Sequence, residues 1–193
     1  MRVPQVDLPY LGGFGDAWGL GWQIFDWPGG TVIGHDGDTI GQYAFLRVVP
    51  DRDVAVALVT NGGSPRGLYT EIIGYALREL AGVELPPLPE PVAGATVAGA
   101  SRYLGRYSSA VADTAVSQDS DGRIWADWTP KGLYAQLGGQ PERNELVPLR
   151  GDTLASAEKR NGRHQLFTFV GADEDGHALF RHTGRADRWV GPG

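Results

Sequence analysis

A serine followed three residues later by a lysine can form an activated nucleophile when both lie on a helix. The sequence contains one such pair, Ser156 and Lys159. The pair runs into Arg160-Asn161-Gly162, which is a hairpin-turn sequence, so we place it on a strand. Residues three apart on a strand face opposite sides and cannot share a proton. We therefore interpret this pair as a chance match.

The remaining polar clusters give no convincing metal site. His177 and His182 fall on opposite strand faces, and no carboxylate cluster joins them or His164. The runs 119–122 and 173–176 resemble calcium loops only in their first residues, so hairpin turns are the better interpretation. The chain has no cysteine, which removes disulfides and thiolate ligands. We expect no metal and no cofactor.

Two tryptophans leave a second class of function open. Trp125 and Trp128 could line the mouth of a β-barrel and bind an apolar ligand. Their odd spacing places them on different faces of a strand, which favours one core ring and one surface ring. A non-catalytic binding or interaction module is therefore the alternative to an enzyme.

Composition excludes several other classes. The 193 residues carry a formal charge of −6 with no basic run, which argues against a nucleic-acid partner. The longest apolar run is only strand-sized, so no membrane span is predicted. Pro4 and Asp7 stand where an export signal needs an apolar stretch. The sequence leaves the localisation unknown.

The first region is predicted to contain four strands and one helix. The helix should begin at Ser64 as N-cap with Pro65 next, and should end before Gly82. Its apolar stripe of Leu68, Ile72, Ala76 and Leu80, widened by Ile73 and Leu77, predicts the core-facing side. The strands are predicted at 19–25, 31–35, 42–49 and 54–60.

A proline-rich segment separates this region from a second one. Residues 86–91 contain four prolines, which favours an extended spacer, so we predict domains at 1–82 and 101–193 with a linker at 83–100. Many short strands with no helix between them predict an antiparallel meander or barrel, and the whole chain is assigned to the α+β class. The strands are predicted at 103–108, 112–118, 123–128, 145–149, 153–157, 164–170, 178–182 and 187–190.

One block of the first region resembles a known enzyme family. The run Gly34-His35-Asp36-Gly37-Asp38-Thr39-Ile40-Gly41-Gln42-Tyr43, then Pro50–Asp53 and an apolar strand ending at Asn61, is similar to the third conserved block of serine β-lactamase-like proteins. That family includes class C β-lactamases, D-alanyl-D-alanine carboxypeptidases and esterases. Gly19-Leu20-Gly21-Trp22 resembles the preceding strand, and the β-rich region, opening at Tyr103-Leu104-Gly105-Arg106-Tyr107, resembles a lipocalin-like C-terminal domain.

The resemblance implies roles for three residues. His35 would donate a hydrogen bond to the leaving group or to a substrate carboxyl, and Gly37 would let the substrate approach the strand backbone. The backbone N–H of Asp38 would be one of two oxyanion donors. Asp36 stands where β-lactamases carry Thr or Ser, which puts recognition of a substrate carboxylate in doubt. The substrate implied is a small amide or ester.

The family also needs a Ser-x-x-Lys helix and a Tyr-x-Asn block; the one Ser-x-x-Lys of this sequence lies on the predicted strand, and the sequence contains no Tyr-x-Asn. We therefore expect this chain to be the C-terminal part of a longer hydrolase, with the nucleophile before Met1, and to be inert alone. Residues 1–82 would then form a partial antiparallel sheet with one helix from the penicillin-binding or β-lactamase transpeptidase-like fold. A homodimer that covers the incomplete sheet is a further expectation.

Overall fold

The computed structural model describes residues 1–39, 41–63, 65–92 and 94–193. Two predictions, Ser64 as N-cap and Ile40 within the family-like run, fall on residues outside the described ones. The chain divides into two compact units: residues 1–8 with 13–87, and residues 9–12 with 88–193. The predicted domain bounds stay a prediction.

The first unit is built on a six-stranded antiparallel sheet whose strands follow chain order. A two-residue turn at Pro28-Gly29 joins the third and fourth strands, and the left-handed φ of Gly29 (99°) suits that turn. The strands are β1 (Val6–Asp7), β2 (Ala17–Trp18), β3 (Gln23–Trp27), β4 (Gly30–Thr39), β5 (Gln42–Val49) and β6 (Val54–Thr60).

Helix α1 (Pro65–Ala81) packs on one face of this sheet, with a side that overlaps the predicted one only in part. Ile73, Leu77 and Ala81 are buried against the sheet, whereas three residues of the predicted stripe, Leu68, Ile72 and Leu80, are exposed. The prediction of the core face was therefore right for Ile73 and Leu77 and wrong for the other three, while the helix and its end before Gly82 are as expected. Gly82 adopts φ 66° and donates its N–H to the Arg78 carbonyl.

The exposed stripe leaves an apolar surface on α1. Leu68, Ile72 and Leu80 are 40–65% exposed, and Tyr75 beside them is 60% exposed. On the sheet face away from α1, Val59 is also exposed. The expected homodimer that would cover such surface stays a prediction. Among the described residues, no helix combines the length and apolarity needed to cross a bilayer.

The second unit is a closed eight-stranded antiparallel barrel in which each strand pairs with its neighbours in sequence and the last pairs with the first. This confirms the prediction of an antiparallel all-β region, and each predicted strand has a counterpart. A short helix that was not predicted, α2 (Gly132–Gln136), follows the third barrel strand. The strands are β7 (Gly105–Ser108), β8 (Ala112–Gln118), β9 (Ile124–Pro130), β10 (Glu142–Arg150), β11 (Thr153–Arg160), β12 (Arg163–Val170), β13 (Phe180–His182) and β14 (Ala186–Gly191).

The barrel core combines apolar side chains with one buried ion pair. Tyr107, Phe167 and Phe169 are at most 2% exposed and belong to one apolar cluster. Arg181 donates to Asp187, its partner on the neighbouring strand, and both side chains are almost fully buried. Burial lowers the pKa of Arg181 even though the Asp187 carboxylate opposes that shift. Breaking such a pair in the interior costs more than removing both partners.

A second polar cluster links the residues just before β7 to the turn between β10 and β11. Arg102 forms a bidentate pair with Asp152 (2.9 and 3.0 Å), and the hydroxyl of Tyr103 donates to the same carboxylate at 3.0 Å. Burial, together with this hydrogen bond, raises the pKa of Tyr103 to about 12.

This raised pKa predicts a loss of stability at alkaline pH. An unfolded tyrosine ionises near pH 10, whereas folded Tyr103 keeps its proton up to about 12. The stabilisation is therefore complete below about pH 10 and is lost as the pH rises through 12. Urea unfolding across this range should show the decline, with a smaller slope in Tyr103→Phe. The same slope in Tyr103→Phe as in an exposed control, Tyr134→Phe, would contradict the assignment.

The segment between the sheet and the barrel makes contacts within each unit. Val83 is fully buried and Leu85 packs beside it in the core under α1. Further along, the Glu90 carboxylate accepts hydrogen bonds from Lys159 (2.7 Å) and from the His164 ring (3.3 Å). These contacts fix parts of the proline-rich segment in addition to the stiffness that proline supplies.

Candidate functional site

Strand β4 has an unpaired edge at His35, Gly37 and Asp38, the three residues with predicted roles in the active site. The pairing of β3 with β4 ends where Gln23 meets Gly34, whereas β4 continues to Thr39. On its other side β4 remains paired with β5 along this whole length. Within the described part of the chain, no strand pairs with residues 35–39 on the β3 side. A supported strand with one open edge offers backbone groups to a ligand.

The direction of the backbone groups along this edge follows from the hairpin geometry. Trp27 and Gly30 close a two-residue turn, so this pair exchanges both backbone hydrogen bonds, and Gly30 directs its N–H towards β3. Alternation along the strand then directs the N–H groups of Asp36 and Asp38 to the same side. Because β3 has ended there, both N–H groups point to the open edge. The arrangement can donate hydrogen bonds to an oxygen that approaches from that side.

The side chains of the run divide between the two faces of the sheet. His35 and Gly37 lie on the face away from α1, and both are exposed. The half-buried ring of Trp18 on β2 meets the His35 ring edge-on, with the centroids 5.8 Å apart and the planes at 80°. His35 is thus held against an aromatic wall at the open edge and remains accessible. Trp18 was not singled out in the sequence, because contact between β2 and the end of β4 depends on where β3 stops.

Two glycines of β4 have opposite surroundings. A Cβ on Gly34 would lie 2.2 Å from the Leu46 carbonyl oxygen and 2.9 Å from an Arg47 Nη atom, whereas a Cβ on Gly37 would have no described atom of the chain within 4 Å. A side chain at position 34 would therefore collide with the chain itself. The space beside Gly37 is filled by no described atom of the chain and is open to a ligand.

This contrast predicts the behaviour of two alanine variants. Gly34→Ala should lower the free energy of unfolding by about 2 kcal/mol, because the backbone oxygen cannot move away cheaply. Gly37→Ala should change it by less than about 1 kcal/mol, since its backbone conformation suits alanine and the space is open. Urea unfolding of the two variants provides the measurement. Equal destabilisation by both substitutions would show that Gly37 also packs against its own protein.

Asp36 faces the opposite side of the sheet from His35. Its carboxylate accepts two hydrogen bonds from the Arg47 guanidinium, at 2.6 and 3.1 Å. Arg47 is 2% exposed and lies under α1, where its Nε donates to the Tyr69 hydroxyl at 3.0 Å. Asp36 is therefore bound by its own protein and does not project onto the open face.

Aromatic rings enclose the buried cation. The guanidinium carbon of Arg47 lies 4.6 Å from the ring centroid of Phe25, 5.0 Å from Tyr69 and 5.8 Å from Trp27. Burial disfavours the charge, but the Asp36 carboxylate and Tyr69 more than offset it, so the pKa of Arg47 lies above its ordinary value. Burial raises the pKa of Tyr69 as well. Sequence reasoning missed Arg47; the only signal was one cation among apolar residues of a strand.

The Ser-x-x-Lys pair in the barrel engages separate partners. The Ser156 hydroxyl donates to the Glu158 carbonyl at 2.7 Å and accepts the backbone N–H of Gln165 at 2.9 Å. Lys159 instead donates to Glu90. The two side chains therefore share no proton, as expected from the strand geometry.

The other polar groups singled out in the sequence have local structural partners. Asp119 accepts the backbone N–H groups of Asp121 and Arg123, and Asp173 organises the second turn in the same way. His177 stacks on Trp189 at 5.3 Å, and burial lowers the pKa of His182.

The two tryptophans of β9 lie on different faces, as predicted. Trp128 pairs with Thr114, a residue of the neighbouring strand β8 whose side chain is buried, whereas the indole N–H of Trp125 donates to Asp119 at 2.8 Å. Both rings are half-buried, so the expectation of one core ring and one surface ring is wrong.

Comparison with known proteins finds relatives of the first unit. Residues 7–81 match the family model described as Beta-lactamase. Penicillin-binding protein 4 of Amycolatopsis lactamdurans is 43% identical over 89 residues, which cover 43% of this chain and 23% of that protein. Two solved structures of SurE, one of them with D-Leu, share 25% identity with this chain. Their TM-scores are 0.69 and 0.68, and the match covers 96% of this chain with 42% and 41% of theirs.

The chain thus spans about a quarter of the curated relative and about two fifths of the SurE chains. The family match contains the whole sheet from β2 to β6 and helix α1, including the open edge of β4. Residues 7–81 are thus similar to proteins of the serine β-lactamase-like family.

Proposed function

We propose that this chain supplies one wall of the active site of a serine hydrolase that acts on a small amide or ester. The first unit would be part of the penicillin-binding or β-lactamase transpeptidase-like fold, and the second a lipocalin-like barrel. The observation that carries the proposal is the open edge of β4, where the Asp38 N–H points outward beside the exposed His35 and Gly37.

The chemistry follows from what an acyl transfer needs. A serine hydroxyl attacks the carbonyl carbon, and the carbonyl oxygen becomes an oxyanion that requires hydrogen-bond donors. The Asp38 N–H is one donor, and a second would come from the nucleophile itself. Gly37 admits the substrate to the strand, and His35 donates to the leaving group or to a substrate carboxyl.

We further propose that the serine and its lysine belong to a part of the protein outside residues 1–193. The short coverage of the relatives supports this, as does the separate bonding of Ser156 and Lys159. Loss of a nucleophile costs about 10⁶ in turnover in a serine protease. Residues 1–193 alone should therefore be inert towards esters and β-lactams.

The solved relative with D-Leu supports a D-amino acid as part of the substrate. We expect D-leucine to bind the open edge of this chain with a dissociation constant on the order of millimolar, because one wall provides few contacts. A ¹H–¹⁵N titration should shift the amide signals of Gly37 and Asp38 with D-leucine and leave them in place with L-leucine. Gly37→Ala should weaken the shifts, since its methyl fills the space above the strand.

The competing function is ligand binding inside the barrel. Thr114 Oγ1 and Asn144 Nδ2 are buried and have no hydrogen-bond partner among the described residues, which favours a small polar guest or water there. The same titration separates the two functions. Shifts confined to β8–β10 would favour the barrel, and the absence of any shift at the β4 edge would overturn the substrate class proposed here.

A further inference from the structure

We propose that Arg47, Asp36 and Tyr69 form a positioning network that holds the open edge of β4 in shape from the helix-covered side. The inference rests on the proposed function, because it treats that edge as the wall on which a substrate is aligned. None of the three side chains needs to touch the substrate. Their role would be to fix the strand pleat so that His35 and Gly37 face outward.

The first link is between the guanidinium and the backbone of the edge. Leu46 is the cross-strand partner of His35, and the alternation set by the β3–β4 turn makes this a hydrogen-bonded pair. The Leu46 carbonyl therefore accepts the His35 N–H, and it also accepts an Arg47 Nη1 hydrogen bond at 2.7 Å. The same Nη1 reaches Asp36 at 2.6 Å. The Arg47 guanidinium thus donates both to the Leu46 carbonyl, which accepts the His35 N–H, and to the side chain of Asp36.

The second link joins the Arg47 contacts to helix α1. Tyr69 of α1 accepts the Arg47 Nε hydrogen bond, and its ring packs on Phe45 with the centroids 4.9 Å apart. Phe45 is in turn the cross-strand partner of Asp36. The helix therefore meets the network at the position directly behind the edge. Arginine suits this place because its planar fork can bind the carboxylate through two nitrogens while Nε reaches Tyr69; the compact ammonium group of lysine has no such fork.

The surroundings argue against a direct role for Asp36 in ligand binding. Both of its carboxylate oxygens are engaged by Arg47, and the side chain lies on the face away from His35. Buried ion pairs of this kind contribute little net stability compared with apolar replacements of similar volume. The pair is better explained by the geometry that it imposes on the strand.

The test separates positioning from stability by removing the whole pair. Asp36→Val/Arg47→Met avoids an unpaired buried charge, so the first unit should stay folded. Amide hydrogen exchange then compares two sets of N–H groups on the same strand. Those of His35 and Gly37 bond to β5, in the part of β4 whose other side is open, whereas those of Val32 and Gly34 bond to β3. We expect exchange of the His35 and Gly37 N–H groups to accelerate about tenfold more than exchange of the Val32 and Gly34 N–H groups.

Two further variants complete the design. Tyr69→Phe keeps the ring and removes one acceptor, so it should give the same pattern at about threefold and carries the test if the double variant does not fold. Arg181→Met/Asp187→Val removes the more deeply buried ion pair of the barrel and should leave exchange of the His35 and Gly37 N–H groups unchanged. Uniform acceleration along β4, or none, would overturn the network.

Ligand titration keeps this outcome distinct from that of the proposed function. If wild-type chain binds D-leucine at the β4 edge and the variants show no localised exchange, the network fails and the function stands. If exchange is localised as expected but the wild-type chain never binds D-leucine there, the proposed substrate class fails and the network stands.

Discussion

Replacing Asp38 with proline should slow acylation of the proposed serine by about 10²–10³-fold, measured in a form of the protein that carries that serine. Proline removes the N–H that points to the open edge, and with it one of the two proposed oxyanion donors. The ladder between β4 and β5 should survive, because this N–H makes no bond to β5. Single-turnover acylation of a chromogenic ester gives the rate.

Asp38→Ala is the matched control, since it removes the carboxylate and keeps the N–H. We expect its acylation rate to stay within about tenfold of wild type, because the proposed donor is the backbone. If alanine and proline slow acylation equally, the side chain carries the effect and the oxyanion assignment is wrong. Circular dichroism of both variants would show whether the sheet is retained.

Asp36→Ala should lower the free energy of unfolding of the first unit by about 3–5 kcal/mol. The substitution leaves the Arg47 cation buried at 2% exposure without its carboxylate partner. Neither Tyr69 nor the Leu46 carbonyl carries an opposing charge, so they cannot replace it. Urea unfolding followed by circular dichroism measures the loss.

Asp38, an exposed carboxylate two residues further along β4, provides the reference for this loss of stability. Asp38→Ala should change the free energy of unfolding by no more than about 0.5 kcal/mol. A loss below about 1 kcal/mol in Asp36→Ala would mean that Arg47 escapes to water when its partner is removed.

Local signals predicted the strands best where turn residues bound them on both sides. β5 and β6 have the predicted limits, because Pro50–Asp53 ends one strand and starts the next, and Asn61-Gly62-Gly63 ends the second. β4 is longer than predicted, since it runs on through His35 to Thr39. Pairing with β5 sustains that extension, and a partner strand is not visible in the local sequence.

The face of α1 could not be chosen from periodicity alone. Leu68, Ile72 and Leu80 form one apolar stripe, and Ile73 and Leu77 belong to a second, about 100° further round the helix. Both stripes satisfy the helical pattern, and only the position of the helix on the sheet decides between them.

The geometry of the candidate site was predictable only in part. Alternation alone puts His35 and Gly37 on one face and Asp36 on the other. That Arg47 binds Asp36 depends on the register between β4 and β5, and that Trp18 meets His35 depends on the end of β3. Both are tertiary facts, and short-range patterns carry no information about them.

The two units should also differ in how they tolerate high concentration. Every barrel strand has a neighbour on each side, so the barrel exposes no edge for another molecule to extend. In contrast, β6 ends its sheet with seven residues, Val-Ala-Val-Ala-Leu-Val-Thr, that include no charge and no proline. Such a strand is a template for edge-to-edge aggregation. Precipitation during storage of this chain should therefore begin at β6, and a lysine at the exposed Ala57 should delay it.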